Sequence, residues 1–414
     1  MYAIADCNNF YVSCQRLWEP QYNGKPVIVL SNNDGCVIAR SNEAKALGIP
    51  MGAIFAKIQE EVQHFNIKTY SSNYALYADT SARVMQNLAR FTPNVEVYSI
   101  DECFLDFGGF SNLHQYTTTI RDTVVHNTGI PISIGVAQTK TLAKVANKLA
   151  KKQNGTLVLD TEAAITSALE NFSIGDVWGI GKQYEKKLQS MNIHTAQQFR
   201  SLPLAWVAKN MTVTGARTWQ ELHGQSCIPL STSLDPKQAL STAKGFGKLT
   251  SDYQELHEAT TNYTTRLAQK LRKEKLCATI LSVRLLTSRF KKDQAIYSPY
   301  ISIPLHHPVN NTHNLVKAAQ AGLRCIFRKE LEYQKVEITL TGLLPETEIQ
   351  LHMFAKYQGE KLDKVSQALD DLNHRFGNGI IKIASEGQYH AWKMKQRHIS
   401  RNYTTNWDDI ITLH

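Results

Sequence analysis

The chain has 414 residues, 43% of them hydrophobic and 20% charged, and its formal net charge is +10. This composition is that of a globular protein with roughly two to four domains, and it excludes a disordered or fibrous chain. The basic balance favours a polyanionic partner, nucleic acid first and an anionic membrane second. No run reaches the roughly 18 apolar residues of a membrane span, and no secretory signal pattern precedes Asp6, so we expect a cytoplasmic protein.

Strands alternate with helices over about the first 165 residues. The run 2–5 is apolar and stops at Asp6, as a buried strand would. The other strands predicted in this part are 26–30, 36–39, two runs within 95–107, and 130–137. The predicted helices are 43–47, 74–91 and 141–152. This alternation favours one mixed α/β core.

Beyond residue 165 the pattern changes twice. Short helices dominate from 166 to 230, and the polar stretch 231–237 is typical of a linker. The next elements are predicted as strand 240–248, helix 252–274, strand 277–287, strand 296–303, helix 311–330 and strand 335–343. This β-α-β-β-α-β order is the split βαβ arrangement of ferredoxin-like domains. The last 70 residues or so are polar without a clear core pattern, which predicts a tail or a partner-dependent module.

The seven cysteines stand in apolar segments and form no Cys-x-x-Cys pair. This usage predicts reduced, mostly buried thiols and argues against both a disulfide framework and a zinc site.

Three acidic residues stand at the ends of predicted strands: Asp6, Asp101 and Glu102. Adjacent residues of a strand face opposite ways, so Asp101 and Glu102 can address one site only where the chain turns. Carboxylates gathered in one place repel each other unless cations compensate, and oxygen ligands suit magnesium. The alternative for any one of them is an ordinary solvated turn residue, which is much the commoner situation.

Several long motifs give these acids a context. In chain order they are DCNNFYVSC, SNNDGCVIARSNEAKALGIPMG, SSNYALYAD, EVYSIDECFLDF, IGVAQTKTLAKVANKLAKK and DVWGIG. Together they resemble the Y-family of DNA polymerases and, within it, the UmuC branch, which supplies the catalytic subunit of bacterial DNA polymerase V. The resemblance covers nearly the whole chain.

The resemblance implies an α+β multidomain fold shaped as a right hand. A palm with a mixed or antiparallel sheet would take residues 1–20 and 75–165, with the fingers inserted at 21–74. A helical thumb with a helix-hairpin-helix would follow at 166–230 and a ferredoxin-like little finger at 240–343. A C-terminal tail, 344–414, would bind the sliding clamp and partner proteins.

The resemblance also implies a catalytic centre. Two Mg²⁺ ions would be held by Asp6, Asp101 and Glu102 together with the backbone carbonyl of Cys7. Tyr11 would be a steric gate, a rigid ring that leaves no room for a ribose 2′-hydroxyl. The other nucleotide-binding residues implied are Phe10, Ile38, Ala39, Asn42, Lys45 and Lys151.

Some of these nucleotide contacts depart from the family pattern or have simpler explanations. Asn42 stands where many relatives have tyrosine, and Lys45 where many have arginine. The lysine ammonium is a point charge and lacks the two parallel hydrogen bonds that an arginine guanidinium can donate. Phe10 could instead be a core aromatic residue. Lys151 could belong to a solvated helix end, where a cation is favoured in any case.

Two further segments predict contact with DNA. Gly179, Ile180, Gly181 and Lys182 open a basic helix, as in a helix-hairpin-helix that binds a backbone phosphate; an ordinary glycine turn is the alternative. In the predicted little finger, Lys244, Lys248, Arg284 and Arg289 lie on or beside strands and could form a template-backbone surface. Charged strand faces are usually just solvated.

The tail contains a candidate clamp-binding peptide: Gln350, Leu351, His352, Met353 and Phe354 resemble the QLxLF peptide of bacterial polymerases. A local apolar cluster is the alternative. The partners that the resemblance implies are primer-template DNA, deoxynucleoside triphosphates, the sliding clamp, a dimer of cleaved UmuD, and RecA. The activity implied is error-prone translesion DNA synthesis during SOS mutagenesis and DNA repair. Two other classes compete with it: a non-catalytic DNA-binding subunit, and a repair glycosylase or nuclease built around the helix-hairpin-helix.

Overall fold

The computed structural model describes residues 1–231, 236–291, 293–349, 360–377, 379–388 and 392–410. The chain divides into two compact units. Unit 1 comprises residues 1–31, 35–234 and 397–414, and unit 2 comprises residues 32–34 and 235–396.

Unit 1 is a mixture of strands and helices. Its strands are β1 (Tyr2–Cys7), β2 (Val27–Leu30), β3 (Val37–Arg40), β4 (Lys68–Ser71), β5 (Val95–Val97), β6 (Glu102–Asp106), β7 (Ile132–Ala137) and β8 (Thr156–Leu159). Its helices are α1 (Phe10–Trp18), α2 (Asn42–Ala46), α3 (Gln59–His64), α4 (Tyr74–Leu88), α5 (Leu113–Thr128), α6 (Lys140–Ala150), α7 (Glu162–Glu170), α8 (Lys182–Gln189), α9 (Ala196–Arg200) and α10 (Leu204–Leu222).

The central sheet of unit 1 has five strands in the order β5-β6-β1-β7-β8. β1 pairs antiparallel with β6 and β7, and only β7 and β8 run parallel. All six residues of β7 are buried, as expected for a strand covered on both faces. A smaller sheet, β3-β2-β4, contains residues that follow α1 in the chain.

Helix α6 lies unusually close to the central sheet. A Cβ atom on Gly135 of β7 would lie 2.0 Å from the backbone nitrogen of Asn147, so a side chain at this position would force the helix away. The Asn147 amide then donates to the carbonyl oxygens of Ser133 and Ile4, at 2.7 and 3.3 Å. This close packing fixes the lysines of α6 relative to the end of β1.

Unit 2 is built on one antiparallel sheet. Its elements are β9 (Ala239–Thr250), α11 (Tyr253–Lys273), β10 (Leu276–Thr287), β11 (Tyr300–Val309), α12 (Thr312–Ile326), β12 (Tyr333–Pro345) and α13 (Glu360–Phe376). The strand order is β11-β10-β12-β9. β9 and β10 therefore flank β12, and β11 and β12 flank β10, so each βαβ crossover skips one strand, as in a split βαβ fold.

The alternation predicted for the first 165 residues and the β-α-β-β-α-β order are confirmed. Boundaries differ most at β11, which starts at Tyr300, whereas the prediction placed this strand at 296–303. Part of the predicted tail or partner-dependent module packs on the rest of unit 2: in α13, Ser366 and Asn373 are buried, and Asp370 accepts two hydrogen bonds from Arg272.

The cysteines are free thiols, as predicted. Over the described part of the chain, no helix combines the length and apolar character needed to cross a membrane.

Candidate active site

The sheet brings three acids of distant sequence position to one place. Asp6 of β1 lies directly opposite Glu102 of β6 in the antiparallel pairing. The next amide, that of Cys7, donates to the carbonyl oxygen of Asp101 at 2.9 Å. The backbones of Asp6, Asp101 and Glu102 are therefore neighbours.

A serine shapes the turn before β6. The Ser99 hydroxyl accepts from the backbone amides of Asp101 and Glu102, at 3.3 and 3.0 Å. It also donates to the Asp101 carboxylate at 2.6 Å. This turn lets two adjacent acids lie at the same end of the sheet, and sequence reasoning did not single out Ser99.

Each acidic side chain has a partner of its own. The Lys151 ammonium lies 2.7 Å from Asp6 Oδ1, and the Lys144 ammonium lies 2.9 Å from both carboxylate oxygens of Glu102. Among the residues that the structure describes, no three His, Cys, Asp or Glu side chains form a group that could hold a metal ion. In this arrangement lysines pair with Asp6 and Glu102, and the Ser99 hydroxyl bonds to Asp101.

Burial raises the pKa of the Asp6 carboxyl to about 6; the Lys151 ammonium opposes this rise, and the charges of Glu102 and Asp101 add to it. Burial likewise raises the pKa of the Cys7 thiol, and the charge of Asp6 raises it further. Negative charge at the end of β1 is thus costly without cations.

Lys144 occupies an aromatic cage. Its ammonium lies 4.6 Å from the ring centroid of Tyr98, 5.3 Å from that of Trp178 and 5.7 Å from that of Phe104. Because ring faces attract cations, the cage and Glu102 together hold this lysine in place. The cage contains Trp178, which immediately precedes Gly179.

Positive charge also gathers around α2. The Lys45 ammonium donates to Asn9 Oδ1 at 2.6 Å and to Asn42 Oδ1 at 3.2 Å. Burial lowers the pKa of Lys45, and the charges of Arg40 and Lys151 lower it further. Arg40 and Lys151, from two other parts of unit 1, are therefore each close enough to Lys45 to repel its charge. Asn9 and Arg40 were not predicted from the sequence.

Tyr11 lies among aromatic rings. Its ring stacks on that of Tyr77, with centroids 4.3 Å apart and planes 14° from parallel, and meets Tyr74 edge-on at 6.2 Å. Phe10 is only 3% exposed and its ring packs in the core, which is the alternative that the sequence left open for it.

Ile38 and Ala39 of β3, both predicted to contact the nucleotide, differ in exposure. Ala39 is 7% exposed and belongs to the core, whereas Ile38 is only partly buried beside it. Successive strand residues point to opposite faces, so Ile38 alone remains as a candidate contact of a templating base pair.

The candidate phosphate-binding turn before α8 requires a glycine. Gly179 has φ +95°, and a Cβ atom there would lie 2.4 Å from Thr218 Oγ1. Ile180 is buried, whereas Gly181 and Lys182 are exposed at the start of α8.

The basic residues predicted in the little finger do not form one surface. Lys244 is paired with the buried Val336 and Arg284 with Glu337, and adjacent residues of β12 point to opposite faces. Lys244 therefore shares a face with the core and lines a cavity of about 650 Å³ with Arg266. Its inclusion with Arg284 on a common DNA-binding face was wrong.

The other little-finger cations are accessible to solvent. Arg289 is exposed, and Lys248 is exposed beside Glu255, with their charged atoms 3.3 Å apart. The candidate clamp peptide, residues 350–354, lies outside the described residues.

Comparison with known proteins gives a family for the whole chain. Residues 5–148 match the impB/mucB/samB family and residues 237–353 its C-terminal domain, while residues 363–413 match DUF4113, a domain of unknown function. Protein UmuC of Salmonella typhimurium is 37% identical, with 99% of both chains covered, and so is Protein ImpB of the same species. DNA polymerase IV of Moorella thermoacetica is 27% identical over 92% of this chain and 94% of its own.

Solved structures agree on the fold. A Dbh–Dpo4 chimera of the Y-family DNA polymerases superposes with a TM-score of 0.66 at 20% identity, covering 83% of this chain and 99% of the chimera. An insertion ternary complex of Dbh DNA polymerase gives a TM-score of 0.57 at 21% identity, covering 82% and 98%. Relatives above 30% identity over the full length decide the assignment. The chain belongs to the impB/mucB/samB family, in the UmuC branch of the Y-family DNA polymerases.

Proposed function

We propose that the acids at the ends of β1 and β6 form the catalytic centre of a translesion DNA polymerase. Family membership makes the chain a DNA-directed DNA polymerase that acts in the repair and bypass of DNA damage. The observation that carries the assignment of the centre is the pairing of Asp6 with Glu102 on adjacent strands, with Asp101 bonded to the next residue of β1.

The donor set is suited to magnesium by its chemistry, and an ion bound there would replace the lysine contacts of Asp6 and Glu102. The set consists of the carboxylates of Asp6, Asp101 and Glu102 and the carbonyl of Cys7, all oxygen ligands of the kind that Mg²⁺ prefers. Burial and neighbouring carboxylates raise the pKa of Asp6, which means that its ionised form is unfavourable there. A bound cation would stabilise that ionised form. When bound, two Mg²⁺ ions would supply charge stabilisation for the attacking and leaving oxygens of the reaction.

The reaction is nucleotidyl transfer: the primer 3′-hydroxyl attacks the α-phosphorus of a deoxynucleoside triphosphate, and pyrophosphate leaves. Lys45, Arg40 and Lys151 would attract the triphosphate, since their mutual repulsion is relieved by an anion. A triphosphate would compete with Asp6 for the Lys151 ammonium. Asn42 would orient Lys45 through the hydrogen bond between them.

Tyr11 would select the sugar. Its ring is backed by the stacked ring of Tyr77, so it cannot swing aside to admit a 2′-hydroxyl. Ile38 would contact the templating base pair with a small, apolar surface.

DNA contacts would come from two places. The backbone amides at the start of α8, from Gly179 to Lys182, suit a phosphate group. Lys248, Arg284 and Arg289 would contact the template backbone. We further propose a cleaved UmuD dimer as a partner, which the UmuC relatives support. The sliding clamp, RecA and an association with the nucleoid are proposed from the resemblance of the sequence motifs alone.

Primer extension by the purified full-length chain tests this proposal, with the clamp, cleaved UmuD and activated RecA present. We expect the parent to extend a primer past a lesion with Mg²⁺, and Asp101→Ala to lose the activity by about a thousandfold or more. Asp160→Ala, a change of the same type at an exposed residue after β8, should behave as the parent. No extension by the parent would refute the function, and an active Asp101→Ala would refute the assignment of the site.

A further inference from the structure

Residues 397–403 of unit 1, here called the C-terminal strap, pack against the elements of the same unit that surround Tyr11. The strap exchanges two hydrogen bonds with the end of β4: the Ser71 amide donates to the His398 carbonyl at 2.9 Å, and the His398 amide donates to Ser71 Oγ at 3.0 Å. The strap lies within the match to DUF4113, whose function is unknown.

A stacked ring pair anchors the far end of the strap. The rings of Tyr403 and Trp18 are parallel within 1°, with centroids 5.1 Å apart. The Tyr403 hydroxyl donates to Glu19 Oε1 at 3.2 Å, and Tyr403 is only 8% exposed. Trp18 is the last residue of α1, the helix whose second residue is Tyr11.

Asn73 joins the strap to helix α4. Its side-chain NH₂ donates to Ser400 Oγ at 3.1 Å and to the Arg401 carbonyl at 3.3 Å. Its side-chain oxygen accepts from the Leu76 amide at 3.3 Å, which caps the start of α4. Serine or aspartate could form the cap, but the serine side chain is one atom shorter and the aspartate carboxylate has no hydrogen to donate.

The first turns of α4 hold the Tyr11 ring. Tyr74 meets it edge-on and Tyr77 stacks on its face. Tyr77 is fully buried, and its hydroxyl accepts a hydrogen bond of 2.9 Å from Gln15 of α1. Contacts therefore run without a break from the strap through Asn73 and α4 to Tyr11.

We propose that Asn73 is a positioning residue through which the C-terminal strap fixes the Tyr11 ring, so that the strap helps to set selectivity for the sugar. The inference rests on the proposed role of Tyr11 as the gate. A wall that excludes one oxygen atom must be held to a fraction of an ångström, and close-packed contacts transmit small displacements. Loosening either end of the strap lets the start of α4, and with it Tyr77, move back.

The test compares incorporation of a ribonucleotide and a deoxynucleotide by the full-length chain, under conditions in which the parent extends a primer. Asn73→Ser keeps the helix cap and loses both bonds to the strap, and Tyr403→Ala removes the stack on Trp18. In each, we expect the ratio of ribonucleotide to deoxynucleotide efficiency (kcat/KM) to rise about fivefold, equivalent to about 1 kcal/mol, the worth of a typical hydrogen bond. A purely structural role would lower both efficiencies alike and leave the ratio unchanged.

Matched variants make the outcome decisive. Trp407→Ala changes another aromatic residue a few positions after the strap, one that is 88% exposed, and should keep the parent ratio. Tyr403→Phe keeps the stack and should also keep that ratio. If Tyr403→Ala folds poorly, Asn73→Ser alone decides the test.

Tyr11→Ala serves as the reference for the gate. If it leaves sugar discrimination unchanged, the gate assignment fails. If it relaxes discrimination while Asn73→Ser and Tyr403→Ala both keep the parent ratio, the role of the strap is overturned. A rise in Trp407→Ala equal to that in Asn73→Ser would overturn it as well.

Discussion

The Asp6 carboxyl lies between the Lys151 ammonium and two other acids, and its pKa is raised to about 6. An acid whose pKa is raised by folding binds its proton more tightly in the native state than in the unfolded chain. Its contribution to stability is therefore complete below its unfolded pKa and is lost as the pH rises through about 6. At neutral pH the ionised group lowers the stability of the metal-free protein.

Asp6→Asn should therefore stabilise the metal-free chain. At about pH 7.5 we expect its free energy of unfolding to rise by about 1–2 kcal/mol, less than the full shift implies because the bond to Lys151 weakens. The gain should vanish below about pH 4, where the parent carboxyl is protonated in both states. Denaturant unfolding at both pH values measures it, and a loss of stability at neutral pH would contradict the argument.

Magnesium provides the matching control for Asp6. Because a ligand that binds only the native state stabilises it, Mg²⁺ should raise the melting temperature of the parent and have a smaller effect on Asp6→Asn. Equal stabilisation of both proteins would mean that the ion binds elsewhere.

Lys144 and Lys148 are consecutive lysines on one face of α6 that differ in surroundings. The pair of Lys144 with Glu102 has side chains 16% and 22% exposed, whereas that of Lys148 with Asp176 has side chains 43% and 44% exposed. Lys144→Met leaves a half-buried carboxylate without its cation and should cost about 1–2 kcal/mol in metal-free buffer. Lys148→Met should cost less than about 0.5 kcal/mol. Chemical denaturation of both variants measures the difference, and equal costs would contradict the role given to the aromatic cage.

At the level of elements, hydrophobic periodicity identified most strands of the three sheets, because those strands carry continuous or alternating apolar runs. It did not identify β4, since its sequence Lys-Thr-Tyr-Ser is mixed and its parallel pairing with β2 joins distant segments. Helix α13 was missed for a related reason. Its contacts with the rest of unit 2 include polar ones, such as Arg272 with Asp370 and Asn311 with Asp363. A pattern of apolar residues does not contain that information.

The sequence likewise predicted some residues of the candidate site and missed others. The three acids stand out because they end strands and because the family motifs surround them. Their partners Lys144 and Ser99 do not, since helix packing and turn geometry bring them to the acids. The strap contacts of Asn73 join residues more than 300 positions apart in the chain, and no local pattern indicates them.

The turn before α8 offers a test at the same scale, because two of its glycines differ. Gly179→Ala places a side chain at φ +95° and against Thr218 Oγ1, whereas a Cβ atom on Gly181 meets nothing within 4 Å. We expect Gly179→Ala to lose about 1–3 kcal/mol of stability and to weaken binding of primer-template DNA. Gly181→Ala should change stability by less than about 0.5 kcal/mol. Thermal unfolding and fluorescence anisotropy measure the two effects, and an unaffected Gly179→Ala would show that the turn is not needed.

For the molecule as a whole, the charge of +10 predicted a polyanionic partner without saying where it binds. The structure separates two kinds of cation. Cations of the first kind are engaged within the fold: Lys140 pairs with Glu96, and Lys244 faces a cavity. Others, such as Arg289, are exposed. Net charge therefore overstates the number of cations available to DNA, and the faces of the unit 2 sheet distinguish them.

The salt dependence of DNA binding tests this separation. Each phosphate contact releases counterions, so removing one contact should reduce the slope of log K against log salt concentration by about 1. We expect this reduction for Arg284→Ala and Arg289→Ala in the full-length chain bound to primer-template DNA. Lys244→Ala, a matched loss of one charge on the opposite face of the sheet, should keep the parent slope because its side chain lies beside Arg266 in the cavity. If Lys244→Ala alone reduced the slope, the DNA would lie against the helical face of unit 2, and the surface proposed around Arg284 would be wrong.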